Sequence, residues 1–305
     1  MNSFGNQFRL TTFGESHGVA VGGIIDGCPA GIAIDNNLIA NELRRRREGD
    51  GINSDELTTR RETDRVEWLS GLLDGTTLGT PIAFVIRNDD CRPEDYEALR
   101  NCFRPGHADY TYMEKYGIRD HRGGGRASGR ETVARVVAGA VAKQVLCAKG
   151  ITFSSLHRDH EVCCIIHGLP AGVGNPIFDR LNARLAYAML SIPSAMAFAM
   201  GDKPDAFRLS SKDFPDQWTP HGEGENLTAT NHCGGVQGGI SNGMPIIFHV
   251  GFHLPVTQPD GMMCRGRDGE LCWVDHKGRH DVCHISRLPV IVEAMAAITI
   301  LDLTL

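Results

Sequence analysis

A strong helical repeat runs from Gly129 to Val145 in this chain of 305 residues. Apolar residues recur there at three- and four-residue steps, and Glu131 lies in the first turn, where a carboxylate stabilises a helix N-terminus. Further helical patterns cover residues 39–47, 63–72, 176–190 and 290–301, and strand-like patterns cover residues 19–25, 81–86, 162–166 and 245–250. This mixture, without a regular β-α-β repeat, predicts an α/β or α+β fold.

Composition excludes several classes of protein. The chain is 41% hydrophobic and 22% charged, which is too ordinary for a disordered or fibrous protein. Its formal charge of -6 argues against nucleic acid as the main partner. No period of roughly 20 to 50 residues recurs and no low-complexity linker is visible. We therefore predict a single domain over residues 1–305.

The chain shows no targeting or membrane-spanning segment. The first twenty residues contain Arg9 and Glu15 and lack the apolar run of a signal peptide. The longest apolar stretch, residues 288–301, contains Glu293 and is shorter than the roughly 20 residues that cross a bilayer. We therefore expect a cytoplasmic protein with no membrane partner.

Ten cysteines are scattered along the chain, and without a signal peptide we expect reduced thiols. Three of them are predicted to be small buried hydrophobic residues, namely Cys28, Cys147 and Cys164. A zinc site is an alternative near the C-terminus, where five residues have ligand-like spacing: Cys272, His276, His280, Cys283 and His284. Gly278 interrupts this segment, so we predict no metal ion.

A polar loop at residues 14–18 reads GESHG and precedes an apolar strand. The flanking glycines allow the backbone to approach a ligand closely, and His17 has a side chain that titrates near neutral pH. A single histidine of this kind is more often structural than catalytic. From this loop alone, both roles stay open.

A second cluster surrounds the triple glycine at residues 123–125. It contains one histidine and five arginines: Arg104, His107, Arg119, Arg122, Arg126 and Arg130. Glycine backbone, a helix N-terminus and guanidinium groups are all suited to a phosphate or carboxylate. Clustered guanidiniums also repel one another unless an anion is present. The cluster therefore predicts an anion site, and it matches neither common nucleotide-binding loop.

Two other segments are less specific. Arg44 to Arg47 are consecutive, so on a helix at most two of them point toward one ligand and the others are solvated. Acidic neighbours such as Glu42 and Glu48, and the lack of interleaved aromatic residues, argue against nucleic-acid binding there. The glycine-rich segment 231–243 suits close packing against a flat cofactor or another chain segment.

Together these motifs resemble the chorismate synthase family, in order, from Met1 nearly to Leu305. The matching segments are GESHG at 14–18, RPGHADYTY at 104–112, the run from Lys115 to Lys143, the GG-GGISNG pattern at 234–243 and GRHD-C at 278–283. The resemblance implies an α+β fold, a β-α-β sandwich with helices between antiparallel sheets, and a homotetramer. It also implies a lyase that converts 5-enolpyruvylshikimate 3-phosphate to chorismate by anti-1,4 elimination of phosphate, with reduced FMN.

The resemblance also implies roles for individual residues. His17 would lie beside the flavin, His107 would act as general acid toward the leaving phosphate, and Asp281 would assist flavin N5 in taking the C6 proton. The substrate anions would be bound by Ser16, Arg46, Arg104, Ser128, Arg130 and Arg279. The flavin would contact Arg126, Ala127, Ser128, Gly238, His253 and Arg279. The reductant would be NADPH or an external flavin reductase.

The chain departs from the family pattern at several positions. It is shorter, and a connection ending in Gly-Asp-Ser-Val-Gly-Gly is missing between residues 146 and 161. Met196 and His253 replace lysines, Ala127 replaces a serine and Val282 a proline. A second substrate arginine has no counterpart between residues 48 and 59. An alternative is therefore a catalytically impaired member that binds flavin or anions.

Overall fold

The computed structural model describes residues 1–49, 62–256, 261–275 and 285–305. The helices are α1 (Asn36–Glu48), α2 (Asp109–Tyr116), α3 (Thr132–Cys147), α4 (Leu181–Leu190) and α5 (Leu288–Thr304). The strands of the first half are β1 (Ser3–Phe4), β2 (Arg9–Phe13), β3 (Ala20–Asp26), β4 (Val66–Trp68), β5 (Leu72–Leu73), β6 (Thr76–Thr77), β7 (Ile82–Arg87) and β8 (Cys102–Phe103). Those of the second half are β9 (Thr152–Arg158), β10 (Glu161–His167), β11 (Ala195–Met200), β12 (Val236–Gln237), β13 (Ile240–Ser241), β14 (Ile246–Phe252), β15 (Met262–Gly266) and β16 (Leu271–Val274).

Two antiparallel sheets enclose a layer of helices. The first sheet has the order β1-β2-β3-β7-β4 and the second has the order β11-β14-β10-β9. Helix α3 packs on β2 and β3, α5 packs on β9 and β10, and the two helices pack on each other. This is the predicted sandwich with helices between antiparallel sheets, so the α+β prediction is confirmed.

Helix α5 is buried on nearly all sides, as expected of a helix that is apolar around its whole circumference. It packs tightly against α3 at Gly139. A Cβ atom added to Gly139 would lie 2.3 Å from the Cβ of Ala294. Only glycine therefore allows the two helix backbones to pack this closely.

A buried ionic cluster lies inside this helical layer. It consists of Glu42, Arg45, Lys143, Ser155 and Glu293, and we call it the Glu293 cluster. Arg45 donates to both carboxylate oxygens of Glu293, at 2.9 and 3.0 Å, and Lys143 donates to Glu293 at 2.6 Å. Burial raises the pKa of Glu293, but the hydrogen bond from Arg45 and the charge of Lys143 outweigh it and lower the pKa to about 2. The cluster therefore joins α1, α3 and α5 through charged groups and β9 through the Ser155 hydroxyl, which donates to Glu293.

The four predicted strands are confirmed as β3, β7, β10 and β14, and the helical patterns at 39–47, 129–145, 176–190 and 290–301 correspond to α1, α3, α4 and α5. The helix predicted over residues 63–72 is wrong, because β4 and the start of β5 lie there. Val66 and Trp68 alternate with Glu67, and β4 pairs with β7. Asp64 also has a φ of 51°, which a right-handed helix does not accept.

Cysteine burial agrees only in part with the prediction. Cys28 and Cys164 are buried, and burial raises the pKa of Cys28 to about 11. Cys147 is exposed, because it is the last residue of α3 and the chain turns there toward solvent. All the described cysteines have free thiols. Among the described residues, no helix combines the length and the apolar character needed to cross a membrane.

Strands β9 and β10 are joined by a two-residue turn of Asp159 and His160. Asp159 has a φ of 50°, and its side chain is exposed. The carbonyl oxygen of His160 accepts the backbone N–H of Phe252 at 2.8 Å. The tip of this hairpin therefore lies beside the end of β14, from which residues 253–256 continue.

Candidate functional site

A cleft of about 1350 Å³ opens at one end of the helical layer. The walls come from the C-terminal turn of α1, the N-terminal turn of α3, the loop 14–18 and the segments 104–109 and 123–130. Apolar side chains include Ile192, Leu288 and Ile291. A pocket for one small ligand usually measures roughly 300 to 1000 Å³. This cleft is therefore large enough for two ligands side by side.

The two glycine-bracketed segments of the sequence meet in this cleft. Gly123 has a φ of 79°, and a Cβ atom there would lie 2.4 Å from Nδ1 of His17 and 3.0 Å from Oγ of Ser16. Glycine is required because any side chain would displace the histidine ring. His17 also contacts Tyr96 edge to face, with ring centroids 4.7 Å apart. The ring of His17 is therefore held between the triple glycine and Tyr96.

Ser16 does not face the cleft. Its side chain is buried, and its Oγ lies 3.1 Å from Nδ1 of His17. Glu15, in contrast, lines the cleft beside the triple glycine. Burial raises the pKa of Glu15, although the nearby charge of Arg126 opposes the change. The loop thus contributes one imidazole and one carboxyl group to the cleft.

Arg104 is buried and is held by a carboxylate. Its Nε and Nη2 atoms donate to the two oxygens of Asp109, at 2.8 and 3.0 Å, and Nη2 also donates to the carbonyl of Gly123 at 3.2 Å. Burial raises the pKa of Asp109, but the bonds and charge of Arg104 outweigh it, so the pKa is lowered. Arg119 lies 3.4 Å from the same carboxylate. Asp109 therefore compensates two guanidinium groups.

His107 lies on the wall of the cleft, half-buried. Its Nδ1 lies 3.0 Å from the carbonyl oxygen of Pro105. A carbonyl only accepts hydrogen bonds, so this contact places a proton on Nδ1. Protonation of the other ring nitrogen would then give an imidazolium that can act as a general acid.

Arg46 and Arg130 also line the cleft. Arg46 donates to Thr132 Oγ1 at 3.0 Å and to the carbonyl of Gly129 at 2.8 Å. Arg130 donates to Asn88 Oδ1 at 2.9 Å and to Asp64 Oδ1. Both side chains therefore connect the start of α3 to other parts of the wall.

The four consecutive arginines of α1 point in different directions, because successive residues of a helix lie on different faces. Asp35 caps α1 by accepting the N–H groups of Asn37 and Leu38, which sets the phase of the helix. Arg46 and Arg47 line the cleft, as the prediction of at most two inward arginines allows. Arg44 is exposed and pairs with Glu48. Arg45 is mostly buried because it enters the Glu293 cluster, which corrects the prediction that it is solvated.

The segment 126–128 starts the helix α3 region. Arg126 extends toward β2, where it donates to Thr12 Oγ1 at 2.5 Å and to the carbonyl of Gly14 at 3.2 Å. Ser128 Oγ accepts the backbone N–H of Arg130 at 3.3 Å, and Ala127 is exposed. All three residues, 126 to 128, line the cleft.

The remaining candidate residues divide into three groups. His253 lines the cleft, and its backbone N–H donates to the backbone carbonyl of Ser194 at 3.0 Å. Gly238 lies in the turn between β12 and β13 and is not part of the cleft wall. Arg279, Asp281 and Val282 lie outside the described residues. The same is true of residues 50–59, where the second substrate arginine has no counterpart. Met196 is 71% exposed and does not line the cleft.

The zinc alternative depends mainly on residues that are not described. Of its five residues only Cys272 lies within the described ranges, where it is exposed on β16. Within those ranges no group of three or more histidine, cysteine, aspartate or glutamate side chains could hold a metal ion.

Sequence reasoning missed the carboxylates that compensate the arginines. Asp64, Asp109 and Glu131 are buried beside the cleft. Glu131 accepts from Thr12 Oγ1 and from Arg135 Nε, both at 2.8 Å. Only Asp109, five residues from Arg104 in the quoted motif, carried a local signal. The arginines are therefore compensated within the protein, whereas the sequence argument required an external anion.

Comparisons with known proteins agree with the resemblance. The family model described as chorismate synthase matches residues 8–159 and 160–305. The chorismate synthase of Azobacteroides pseudotrichonymphae is 42% identical over 351 aligned positions, covering 99% of this chain and 98% of that protein. That of Phocaeicola vulgatus is 43% identical, covering 99% and 97%. A crystal structure of chorismate synthase has a TM-score of 0.73 at 27% identity, covering 98% of this chain and 92% of the other.

The same comparisons locate the missing connection. The alignment with the first relative spans 351 positions, more than the 305 residues of this chain, so that relative has positions without a counterpart here. The family model is interrupted between residues 159 and 160, which are the two residues of the β9–β10 turn. The tight β9–β10 turn therefore lies at the junction of the two matched segments.

Proposed function

The chain belongs to the chorismate synthase family, the lyases that convert 5-enolpyruvylshikimate 3-phosphate to chorismate and phosphate in the shikimate pathway, and we propose that the cleft described above is its active site. One observation carries this proposal. The cleft brings the arginines at 46, 104 and 130 together with His17 and His107. The substrate has a phosphate and two carboxylates, and guanidinium groups are suited to both kinds of anion.

We further propose distinct roles for the two histidines. His107 carries a proton on Nδ1, which the Pro105 carbonyl accepts, so its second nitrogen is the one that gains and gives a proton at the leaving phosphate. His17 is clamped between Gly123 and Tyr96, which suits a residue that holds a fixed proton position beside a cofactor. Asp281 keeps its proposed role of assisting the removal of the C6 proton at flavin N5.

The described residues fit reduced FMN as cofactor. The cleft volume exceeds that of one small ligand, and Arg126, Ala127, Ser128 and His253 line it. A Cβ atom on Gly129 would have no neighbour within 4 Å, so space remains beside this backbone. When bound, reduced flavin would supply the electron-rich group that assists loss of phosphate. Arg126 would hold its anionic part, and Leu288 and Ile291 would exclude water.

The remaining proposals concern the assembly and the source of electrons. We propose a single domain over residues 1–305, supported by one continuous hydrophobic core that runs through both sheets. We also propose a homotetramer in the cytoplasm, with FMN reduced by NADPH or by an external reductase. Light scattering of the purified protein measures the assembly, and oxidation of NADPH in the presence of FMN separates the two reductants.

The alternative, an impaired member that only binds flavin or anions, is favoured by the two lysine replacements and the missing connection. The structure weakens the argument from the first lysine replacement, because Met196 is exposed and lies outside the cleft wall. A lysine there would not contact a ligand in this cleft directly. His253 does line the cleft, so the loss of that lysine removes a permanent positive charge.

The decisive experiment is anaerobic turnover of 5-enolpyruvylshikimate 3-phosphate with chemically reduced FMN, monitored by phosphate release and chorismate absorbance. We expect turnover by the wild-type protein and a loss of about 100-fold or more in kcat for His107→Ala. His167→Ala is the matched control, because His167 pairs with Glu225 away from the cleft. Folded protein that binds FMN without turnover would support the impaired alternative instead.

A further inference from the structure

Asp64 contacts two of the arginines that we propose bind the substrate. Its side chain is 1% exposed, its Oδ1 accepts a hydrogen bond from Nη1 of Arg130, and its Oδ2 lies 3.7 Å from Nη1 of Arg46. Neither the sequence motifs nor the resemblance assigned this residue a role. A single buried carboxylate therefore lies between two guanidinium groups on the cleft wall.

The backbone at Asp64 is unusual. Its φ of 51° lies in the left-handed region, which Asp and Asn enter more readily than other side chains except glycine. Such a conformation is energetically unfavourable and persists only where surrounding contacts impose it. Glu62, two residues earlier, accepts the backbone N–H of Asp89 at 2.8 Å, which ties this segment to the end of β7. The segment is thus held in the position that directs Asp64 to the arginines.

The two arginines are held unequally. Arg130 also donates to Asn88 and to the Arg87 carbonyl at 3.1 Å, so its guanidinium is fixed on several sides. Arg46 donates to Thr132 Oγ1 and to the Gly129 carbonyl, and it lies 3.7 Å from Oδ2 of Asp64, which accepts no hydrogen bond from a described residue. Two guanidiniums this close repel each other, and the carboxylate between them offsets that repulsion.

We propose that Asp64 is a positioning residue for the elimination reaction, which keeps Arg46 and Arg130 together so that both can bind the same anionic group of the substrate. This inference rests on the proposed function, because that function supplies the substrate. Arg130 reaches Asp64 through a hydrogen bond, and Arg46 reaches it through an ionic contact of 3.7 Å. Loss of the carboxylate would let the two guanidiniums separate, so substrate binding would weaken more than the chemical step.

The test compares Asp64→Asn with Asp74→Asn. Asparagine has the shape of aspartate and tolerates a left-handed backbone, so Asp64→Asn removes the charge with little change in conformation. Asp74 is the matched control, because its φ is 49° and it is exposed in the turn between β5 and β6, away from the cleft. Binding of 5-enolpyruvylshikimate 3-phosphate is measured by calorimetry, and KM and kcat by the anaerobic assay.

We expect Kd and KM of Asp64→Asn to rise about tenfold, the change that one lost charge-assisted interaction produces. We expect kcat to change less than about threefold, and Asp74→Asn to match wild type. Equal Kd values for the two variants, with active wild-type protein, would overturn this inference alone. Wild-type protein without binding or turnover would overturn the proposed function, and the inference with it.

Asp64→Gly separates the carboxylate from the backbone. Glycine adopts the left-handed conformation freely, so this variant should fold even if asparagine does not. Circular dichroism and the thermal midpoint check folding of each variant. We expect Asp64→Gly to show the same rise in KM as Asp64→Asn. Wild-type KM in folded Asp64→Gly would show that the carboxylate is not required.

Discussion

Arg45 and Arg46 are adjacent on α1, yet they belong to two different regions of the molecule. Arg45 enters the Glu293 cluster, where it forms hydrogen bonds with two carboxylates. Arg46 points into the cleft, where it donates to a hydroxyl and a carbonyl and only approaches Asp64. The first arginine is bound by two carboxylates of the Glu293 cluster, and the second lines the cleft with one carboxylate 3.7 Å away. The difference separates an arginine used for stability from one used for binding.

The largest expected effect is on the first region. Glu293→Gln removes a carboxylate from both Arg45 and Lys143, and Glu42 is the charged partner that the two share among the described residues after the change. Removing one member of a buried ionic group costs about 3 to 5 kcal/mol, so we expect a loss of this size in the free energy of unfolding. Urea unfolding measures it. Glu67→Gln is the control, because Glu67 forms an exposed pair with Arg87. Similar losses of unfolding free energy in Glu293→Gln and Glu67→Gln would show that the Glu293 cluster contributes no more to stability than an exposed pair.

The pH dependence of stability tests whether the ionised Glu293 stabilises the folded state. The pKa of Glu293 is lowered from 4.5 to about 2, so its ionised form stabilises the folded state. That stability is fully present above pH 4.5 and is lost as the pH falls through about 2. The shift corresponds to about 3 kcal/mol. Unfolding curves between these pH values should therefore fall more steeply for wild type than for Glu293→Gln, and parallel curves would contradict this.

The second region should show the opposite pattern. Arg46→Ala removes a charged donor from the cleft, so we expect kcat/KM to fall about 10- to 100-fold. The free energy of unfolding should fall by about 2 kcal/mol, less than in Glu293→Gln, since two hydrogen bonds and the contact with Asp64 are lost but Asp64 keeps Arg130 as a partner. Arg44→Ala is the control on the same helix, because Arg44 is exposed. Unchanged kcat/KM in Arg46→Ala would place Arg46 outside the binding site.

The smallest effect is expected for an arginine in neither region. Arg9 forms a pair with Asp26 at 2.7 Å, and both side chains are about half exposed. Exposed pairs contribute about 0 to 1 kcal/mol, so Arg9→Ala should change neither unfolding nor turnover measurably. A loss of about 2 kcal/mol in urea unfolding would show that exposure is a poor guide to the role of an arginine in this protein.

The sequence predicted one half of the site better than the other. The loop at 14–18 and the triple glycine were both singled out, and the structure packs them together through Gly123 and His17. The fold class followed from the same motifs through the resemblance. These features are encoded locally, since glycine, histidine and arginine chemistry is visible in short segments.

The compensating carboxylates could not be predicted in this way. Asp64 lies 66 residues from Arg130 in sequence, and Glu293 lies 248 residues from Arg45. Only tertiary packing brings these pairs together, and a lone Asp or Glu carries no local signal. The helix wrongly predicted over residues 63–72 hid Asp64 further, because a helix would have excluded its left-handed backbone.

The two-residue turn at Asp159 and His160 has a consequence for the order of folding. A shorter connection lowers the entropy lost on closing a loop, by about 0.6 kcal/mol for each halving of its length. Isolated hairpins form in about 1 to 10 μs. The β9–β10 hairpin should therefore pair early and offer β10 as a template for β14, with which it aligns over residues 161–166. The second sheet of this chain thus grows from a local nucleus.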